Sequence, residues 1–286
     1  MRPASAGSRL NAMTVDVEDY FHVSVFDRVV PRSQWESLES RVVSNTERLL
    51  DLFDEHAVRG TFFVLGWVAE RYPSLVPSIA ARGHELASHG YAHRLVYDQT
   101  PDSFRDDVRR SKAIIEEQSG CRVNGYRAPS FSVTEQSLWA LDVLLEEGYR
   151  YDASIFPIRH DRYGIPDAPR WPHAMARAGG SLFEVPGSTV RVGGTNLPVA
   201  GGGYFRILPY AWTRWGMRRL NQVEGQPAVF YLHPWEIDPE QPRLPASVLG
   251  RFRHYRNLHL TEARLHSLMR DFSFGPLQTV LAGCAA

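Results

Sequence analysis

The chain has few cysteines, no excess of charge of either sign and no long hydrophobic run. Only Cys121 and Cys284 are cysteines, too few for the disulfide framework of a small secreted domain, so two free thiols are expected. Basic and acidic residues both total 32, so the charge gives no indication of a nucleic acid or an anionic membrane as partner. No apolar run reaches the roughly 18 residues of a membrane-spanning helix.

The beginning of the chain also lacks the apolar segment of a signal peptide. Residues 1–12 are polar and aperiodic, and they are predicted to form a flexible lead-in. Without a signal or a membrane span, the sequence predicts a cytoplasmic location.

What the sequence does contain is an alternation of apolar and amphipathic segments over a chain long enough for one large domain. Seven short apolar runs are predicted strands, at residues 13–17, 60–65, 84–88, 123–126, 149–153, 182–185 and 228–232. Helices are predicted from a capping box at 44–47, and over 73–82, 101–119, 134–147, 209–221 and 261–270. Residues 157–181 and 187–206 are rich in glycine and proline and are predicted loops. This alternation predicts an α/β fold with a parallel sheet.

Side chains capable of chemistry follow the predicted strands directly. They are Asp16, His89, Arg127, Asp152 and His233, each at the carboxyl end of a different strand. In a parallel barrel these strand ends meet on one face, and active sites are built there. The sequence therefore predicts that these five residues share one site.

The pair His89 and His93 predicts a metal site, because neutral imidazole is the commonest protein ligand for zinc-like cations. A hydrolytic site needs a third ligand, and the acids after the first strand offer Asp16, Glu18 and Asp19. Side chains alternate along a strand, so Asp16 and Glu18 face one way and Asp19 faces across unless the chain turns. One acid can bind the metal while another accepts the proton of its water.

The other strand-end residues suit acid–base chemistry. Arg127 can hold a catalytic carboxylate by a charge-assisted hydrogen bond, and His233 can act as the general acid for a leaving amine. Asp152 can orient Arg127 or His233, or cap a loop. Aromatic side chains near these strand ends suit stacking on sugar rings; they are Tyr20, Phe21, Phe131 and Trp235.

Five ordered motifs resemble those of polysaccharide deacetylases of the NodB-homology type, similar to carbohydrate esterase family 4. The motifs are Thr14-Val15-Asp16, Ser88-His89 with His93, Arg127-Ala128-Pro129, Tyr151-Asp152 and Leu232-His233. The resemblance implies a single domain with a distorted (β/α)7 barrel and a divalent metal, usually zinc, with cobalt, nickel or manganese as further options. It also implies removal of acetyl groups from N-acetylhexosamine units of a glycan.

By motif, each site residue has an implied role. Asp16 would be the base, His89 and His93 metal ligands, and His233 the acid. Arg127 would be the partner of the base, Asp152 the tether of that arginine, and the N–H of Ser130 an oxyanion donor. Phe131 and Trp235 would line the substrate site.

Four further stretches resemble one subgroup of this family, which is associated with exopolysaccharide and exosortase loci in bacteria. They are residues 16–21, 201–206, 230–238 and 251–255, the last within a C-terminal extension over about 200–286. Membership would allow peripheral association with a polysaccharide export system.

The first motif departs from the family pattern, in which two adjacent aspartates serve as base and ligand. Val17 stands in the second place here, followed by Glu18 and Asp19. Three assignments follow, in order of preference. Glu18 is the third ligand, or Asp19 is the ligand after a kink, or Glu18 is the base and Asp19 the ligand.

The leading functional hypothesis is therefore a metal-dependent deacetylase acting on a bacterial polysaccharide or its precursor. Two alternatives are a catalytically silent glycan-binding protein of a polysaccharide export system and a cyclic-amide hydrolase of the same fold. The second alternative resembles the metal-free allantoinase relatives, which lack the histidine pair that this chain has.

Overall fold

A computed structural model of the protein describes residues 9–284, so most of the predicted lead-in, residues 1–8, lies outside the described residues. The strands are β1 (Asn11–Val17), β2 (Thr61–Val64), β3 (Glu85–Ser88), β4 (Gly125–Tyr126), β5 (Tyr151–Asp152), β6 (His173–Arg177), β7 (Gly180–Glu184), β8 (Thr189–Val192), β9 (Thr195–Pro198), β10 (Val229–Leu232) and β11 (Phe274–Gly275). The first strand begins two residues earlier than predicted, and Asn11 and Ala12 are buried in it.

Seven of these strands form a continuous parallel path, in the order β10-β1-β2-β3-β4-β5-β7, and β11 pairs parallel with β1 beside it. The strands of this path are the seven predicted from the sequence, and the parallel α/β fold with a distorted (β/α)7 architecture is confirmed. The segment that follows β7 lies between β7 and β10. In this segment, Ser188 Oγ accepts a hydrogen bond from the N–H of Val229 at 2.7 Å. Gly201 forms a single parallel bridge to Tyr231 in the same region.

Ten helices are present among the described residues. They are α1 (Val42–Glu55), α2 (Gly66–Arg71), α3 (Leu75–Ala81), α4 (Pro101–Ser119), α5 (Ala140–Glu146), α6 (Gly202–Ile207), α7 (Tyr210–Arg218), α8 (Val248–Tyr255), α9 (Leu258–Asp271) and α10 (Leu277–Cys284). None of the described helices is long and apolar enough to cross a membrane. Two short 3₁₀ turns, Pro129–Phe131 and Pro234–Ile237, follow β4 and β10 and shape the site.

Successive side chains of β1 point alternately to two faces, each with a different hydrophobic cluster. Met13, Val15 and Val17 pack with the helices in the main hydrophobic cluster. Ala12 lies on the other face, in a cluster with Phe63 and residues of β3, β5, β10 and α10. Because side chains alternate along a strand, Thr14 and Asp16 lie on the same face as Ala12. The inner face of the parallel strands therefore leads directly to the acidic end of β1.

Helix ends were predicted correctly where the capping group and the backbone that it caps are close in sequence. Thr100 caps α4 by accepting a hydrogen bond from the N–H of Ser103, and Gly120 ends the helix with a φ of 68°, both as predicted. The predicted capping box at 44–47 is wrong, because α1 begins at Val42 and the Ser44 hydroxyl donates to the carbonyl of Arg41. The predicted loops contain β6, the hairpin β8–β9 and α6, while α8 and α10 lie where no element was predicted.

Candidate active site

Glu18, His89 and His93 form a buried cluster at the carboxyl ends of β1 and β3. One potential ligand atom from each lies within 4.8 Å of the others, and each residue is at most 2% exposed. His93 Nε2 lies 2.7 Å from Glu18 Oε2. The carboxylate reaches the histidines although the chain turns after Val17, where the N–H of Glu18 donates to the Asp16 carbonyl at 3.0 Å.

The loop that carries the histidine pair is fixed from two sides. The Asp107 carboxylate accepts hydrogen bonds from the N–H groups of Tyr91 and Ala92, at 2.6 and 3.3 Å. The Arg32 guanidinium donates to the Ala92 and His93 carbonyls. His93 has a φ of 49°, a left-handed conformation that a non-glycine residue rarely adopts outside strained functional sites.

The donor set fits a divalent cation. His89 Nδ1–H donates to the Arg127 carbonyl at 2.8 Å, which leaves Nε2 free to act as a ligand. Burial lowers the pKa of His89 to about 4, so the ring is neutral near pH 7. Burial alone would raise the pKa of Glu18, but the imidazoles of His93 and His233 bring it well below its usual range. Two imidazoles beside a carboxylate match zinc-type ligation.

Asp19 corrects one predicted alternative, because its carboxylate faces away from the cluster. Oδ2 accepts hydrogen bonds from the Ser40 hydroxyl and from the N–H groups of Arg41 and Val42, at 2.6, 2.9 and 3.1 Å. Oδ1 accepts from the N–H of Tyr20 at 3.0 Å. Burial raises the pKa of Asp19 to about 6 despite these donors. Asp19 is therefore the cap of α1, and the assignments that place it on the metal do not match the structure.

The predicted pair of Asp16 and Arg127 is present. Arg127 Nη1 lies 2.7 Å from Asp16 Oδ1 and also donates to the Thr14 hydroxyl, while Nε donates to the Ala153 carbonyl. The guanidinium lies over the Phe63 ring, 4.2 Å from its centroid. Arg127 is 1% exposed, so a buried cation with four fixed contacts orients the Asp16 carboxylate.

Asp152 does not tether Arg127, which corrects a second expectation. Its carboxylate accepts hydrogen bonds from the hydroxyl and the N–H of Ser154, and it interacts with the carboxyl group of Glu184. Burial raises the pKa of both acids, and proximity of the two carboxyls raises that of Glu184 further, so the pair shares a proton. Ser154 Oγ in turn accepts from the N–H of Ala128 at 2.7 Å. Asp152 thus supports the backbone after Arg127 and not its side chain.

His233 faces both acids of β1. Its Nε2 lies 3.6 Å from Glu18 Oε1 and 3.8 Å from Asp16 Oδ2, and its Nδ1 lies 3.5 Å from Glu236 Oε1. Burial lowers the pKa of His233, but the carboxylates of Glu18 and Glu236 outweigh it and raise the value to about 9. The imidazole is therefore protonated near neutral pH, as a general acid requires.

The two aromatic residues assigned to substrate binding have covered ring faces. Trp235 is 3% exposed and stacks between His233 and His254, with centroid distances of 5.1 and 4.2 Å. Its Nε1–H donates to Glu18 Oε1 at 3.2 Å, so it supports the cluster. Phe131 is 6% exposed and packs on Phe156 and Tyr231. Neither ring offers a free face for a sugar, which corrects the expectation of stacking, but Trp235 does line a cleft beside His233.

A cleft of about 280 Å³ opens beside His233. Ser130 lies on its wall with a φ of 52°, and the Ser130 hydroxyl lies 2.8 Å from that of Ser24. The other wall comes from late segments of the chain, including Arg206, Gly250 and Arg253. A larger cavity of about 810 Å³ lies between residues 157–171 and the β8–β9 hairpin, and none of the predicted site residues lines it.

Sequence reasoning missed Glu236, Arg206 and Glu184. Glu236 stands three residues after His233, and the 3₁₀ turn begun by Pro234 places these two positions on one side. That spacing was the available signal. Glu184 is an acid inside an apolar strand, which signals a buried partner. A second group of potential ligands, Glu55, His56 and His266, lies at the surface, where the two imidazoles are hydrogen-bonded at 2.8 Å.

Two family models match this chain, one over each half. Residues 26–151 match the family described as polysaccharide deacetylase, and residues 153–282 match a domain of unknown function, DUF3473. The structure joins both segments in one sheet, because β5, at the end of the first segment, pairs with β7 of the second. The first match begins after β1 and so does not include Asp16 and Glu18.

Curated relatives support a polysaccharide deacetylase domain. The peptidoglycan-N-acetylglucosamine deacetylase of Bacillus cereus is 32% identical over 98 residues, covering 34% of this chain and 36% of that protein. The chitooligosaccharide deacetylase of a Bradyrhizobium species is 32% identical over 99 residues, 35% of this chain and 43% of that protein. The chain thus matches well under half the length of these relatives.

Solved structures share the fold over nearly the whole chain. A putative polysaccharide deacetylase from Mycobacterium smegmatis has a TM-score of 0.62 at 22% identity, covering 97% of this chain and 90% of that one. Puue allantoinase has a TM-score of 0.63 at 15% identity, with the same coverage. Because proteins of two activities share this fold, the fold does not by itself decide the activity.

Proposed function

We propose that this protein is a metal-dependent hydrolase that removes acetyl groups from N-acetylhexosamine units of a bacterial polysaccharide or its precursor. The proposal rests on one observation, which is that three kinds of functional group lie together at the carboxyl ends of the strands. A potential ligand trio, an arginine-paired carboxylate and an imidazole converge around one small volume. His233 Nε2 lies within 4 Å of both Asp16 and Glu18. We further propose that the glycan is an exopolysaccharide, as the subgroup stretches imply.

Glu18, His89 and His93 would hold the cation, and two imidazoles with one carboxylate match zinc. When bound, such an ion would polarise the attacking water and the acetyl carbonyl oxygen. Trp235 and the Arg127 carbonyl hold Glu18 and His89 in place from behind. Two of the three ligands therefore have a second contact that fixes their orientation.

Asp16 would accept the proton of the attacking water. Arg127 occupies Oδ1 of this carboxylate, so Oδ2 is the oxygen that faces His233. The guanidinium pairs with the Asp16 carboxylate and limits its rotation, so that Oδ2 stays available as a base.

His233 would protonate the departing amine nitrogen. A hexosamine amine is a poor leaving group unless it receives a proton as the carbon–nitrogen bond breaks, and an imidazolium beside the cleft supplies one. The N–H of Ser130, in the turn after Arg127, would donate to the oxyanion formed at the acetyl carbon. The left-handed conformation of Ser130 presents this turn to the cleft.

The full chain should release acetate from N-acetylglucosamine oligomers, with loss on chelation and recovery on addition of zinc or cobalt. His89→Ala should lose bound metal and activity together, whereas His233→Ala should keep the metal and lose about 10²–10³ in rate. His266→Ala is the matched control, because it removes an imidazole from the surface group alone.

The same assays separate the alternatives. Wild-type metal content and turnover in His89→Ala would refute the assignment of the ligands. Tight glycan binding without acetate release under any divalent metal would favour a silent binding protein. Ring opening of a cyclic amide such as allantoin, without acetate release, would favour the activity named for the allantoinase neighbour.

A further inference from the structure

We infer that Glu236, held in place by Arg206, is a positioning residue for His233. The inference rests on the proposed hydrolytic function and adds to it a second, buried ion pair behind the general acid. Glu236 is fully buried, and its Oε1 lies 3.5 Å from His233 Nδ1. This separation is long for a hydrogen bond, as is common in active sites without substrate.

The anchor of Glu236 is a guanidinium in which all three nitrogens donate hydrogen bonds. Arg206 Nε donates to Glu236 Oε1 at 3.0 Å. Its Nη1 donates to the His254 and Arg256 carbonyls, and its Nη2 donates to the Arg253 carbonyl. Arg206 is 2% exposed. The last turn of α8 thus fixes the arginine, and the arginine fixes the side of the carboxylate that faces His233.

The ring of His233 is also fixed by stacking. It lies on Trp235 with an interplanar angle of 18°, and Trp235 lies on His254 with an angle of 17°. His254 Nε2 contacts Gln241 Oε1 at 2.7 Å, which holds the far ring. Stacking sets the plane of the His233 ring, and Glu236 sets which nitrogen faces the cluster.

Three of the four subgroup stretches meet at this assembly. Residues 201–206 supply Arg206, residues 230–238 supply His233, Trp235 and Glu236, and residues 251–255 supply His254 and two of the carbonyls. All three belong to the segment matched by the domain of unknown function. Through this assembly, the second matched segment would position the general acid that acts beside the histidine ligands of the first matched segment.

A carboxylate at Nδ1 selects the form of the ring in which Nδ1 carries a proton. Nε2, the nitrogen that faces Asp16 and Glu18, is then the atom that delivers the proton to the leaving amine. Asp152 does not take this place, because its carboxylate contacts Ser154 and Glu184. The alternative is a structural ion pair that only stabilises the packing of α6 and α8.

The test compares Glu236→Gln with the wild-type chain, using Glu240→Gln, an exposed position of the same segment, as control. Glu236→Gln should lower kcat for deacetylation of N-acetylglucosamine oligomers by about 10–100-fold, with KM and metal content within about twofold. In spectra of ¹⁵N-histidine-labelled protein, the His233 Nδ1–H signal should be present in wild type and lost or shifted in the variant.

A wild-type kcat in Glu236→Gln, or an unchanged His233 signal, would overturn this inference while leaving the proposed function intact. No acetate release by the wild-type chain would instead contradict the proposed function. Loss of metal together with kcat would assign Glu236 to structure alone and also overturn the inference. If Glu236→Gln does not fold, Glu236→Asp keeps the charge but withdraws the carboxylate, and it must show the same fall in kcat.

Discussion

Replacement of Asp19 separates a helix cap from a metal ligand. Two of the three sequence-based assignments place this acid on the metal, whereas the structure places it at the beginning of α1. In Asp19→Ala, the N–H groups of Tyr20, Arg41 and Val42 and the Ser40 hydroxyl lose their acceptor. We therefore expect a less stable protein that still binds metal.

The magnitude follows from those contacts. Loss of a helix cap costs about 0.5–2 kcal/mol, and a buried donor left without an acceptor costs about 1–3 kcal/mol. Val42 is 1% exposed and cannot recover a water, while Arg41 is partly exposed and can. Asp19→Ala should therefore lose about 2–4 kcal/mol of unfolding free energy. Asp19→Asn, which keeps one acceptor oxygen, should lose less.

Urea unfolding and metal analysis of the same samples provide the measurement. Glu18→Gln is the matched comparison, since it should lose metal while the α1 cap stays intact. A folded Asp19→Ala protein without metal would refute the reasoning, and so would one with wild-type stability. Either result would return Asp19 to the list of ligands.

Three further predictions concern buried contacts, two of them beside the site and the third at the amino end of β3. Arg127→Met leaves the Asp16 carboxylate buried without its partner. It should lower the free energy of unfolding in urea by about 3–5 kcal/mol and abolish acetate release. A decrease in unfolding free energy of less than about 1 kcal/mol would contradict a buried ion pair. Trp235→Phe removes the donor to Glu18 and should weaken metal affinity about 10-fold in chelator competition, so unchanged affinity would argue against this support. Burial lowers the pKa of His84 from 6.5 to about 4, so the unfolded chain protonates first as the pH falls. The free energy of unfolding should therefore decrease by up to about 3 kcal/mol as the pH falls from 6.5 to 4. In His84→Asn, unfolding measured across this pH range should show a smaller decrease.

The parallel strands were predictable because each is an apolar run with a chemically distinct residue at its end. Parallel topology then brings those ends together, so neighbours such as Asp16 and Arg127, 111 positions apart, could be paired from the sequence. The roles of these residues in the predicted site came from the order of the family motifs. The site was most predictable where a residue follows its strand immediately.

Prediction failed where the partner is remote and belongs to no strand end. The cap of α1 is Asp19, not the nearby Ser44, because tertiary contacts can replace a local cap. Arg206 reaches Glu236 only after α6 and α8 pack, and neither helix was predicted, since their short segments lie in glycine- and proline-rich surroundings. Asp152 follows its strand as predicted, yet its partner depends on Glu184, an acid from the next parallel strand.

The position of Val17 favours a glutamate two residues after Asp16 as the proposed third ligand. Val15 and Val17 face the helices and lie in the main hydrophobic cluster, so an acid at position 17 would be buried among apolar side chains. The next inward position is 18, but the chain already turns there, as the hydrogen bond from the Glu18 N–H to the Asp16 carbonyl shows. The longer glutamate side chain spans the added distance and brings Oε2 to 2.7 Å from His93 Nε2. Alternation and side-chain length together therefore favour Glu18 as ligand and leave Asp16, with its arginine, as the base.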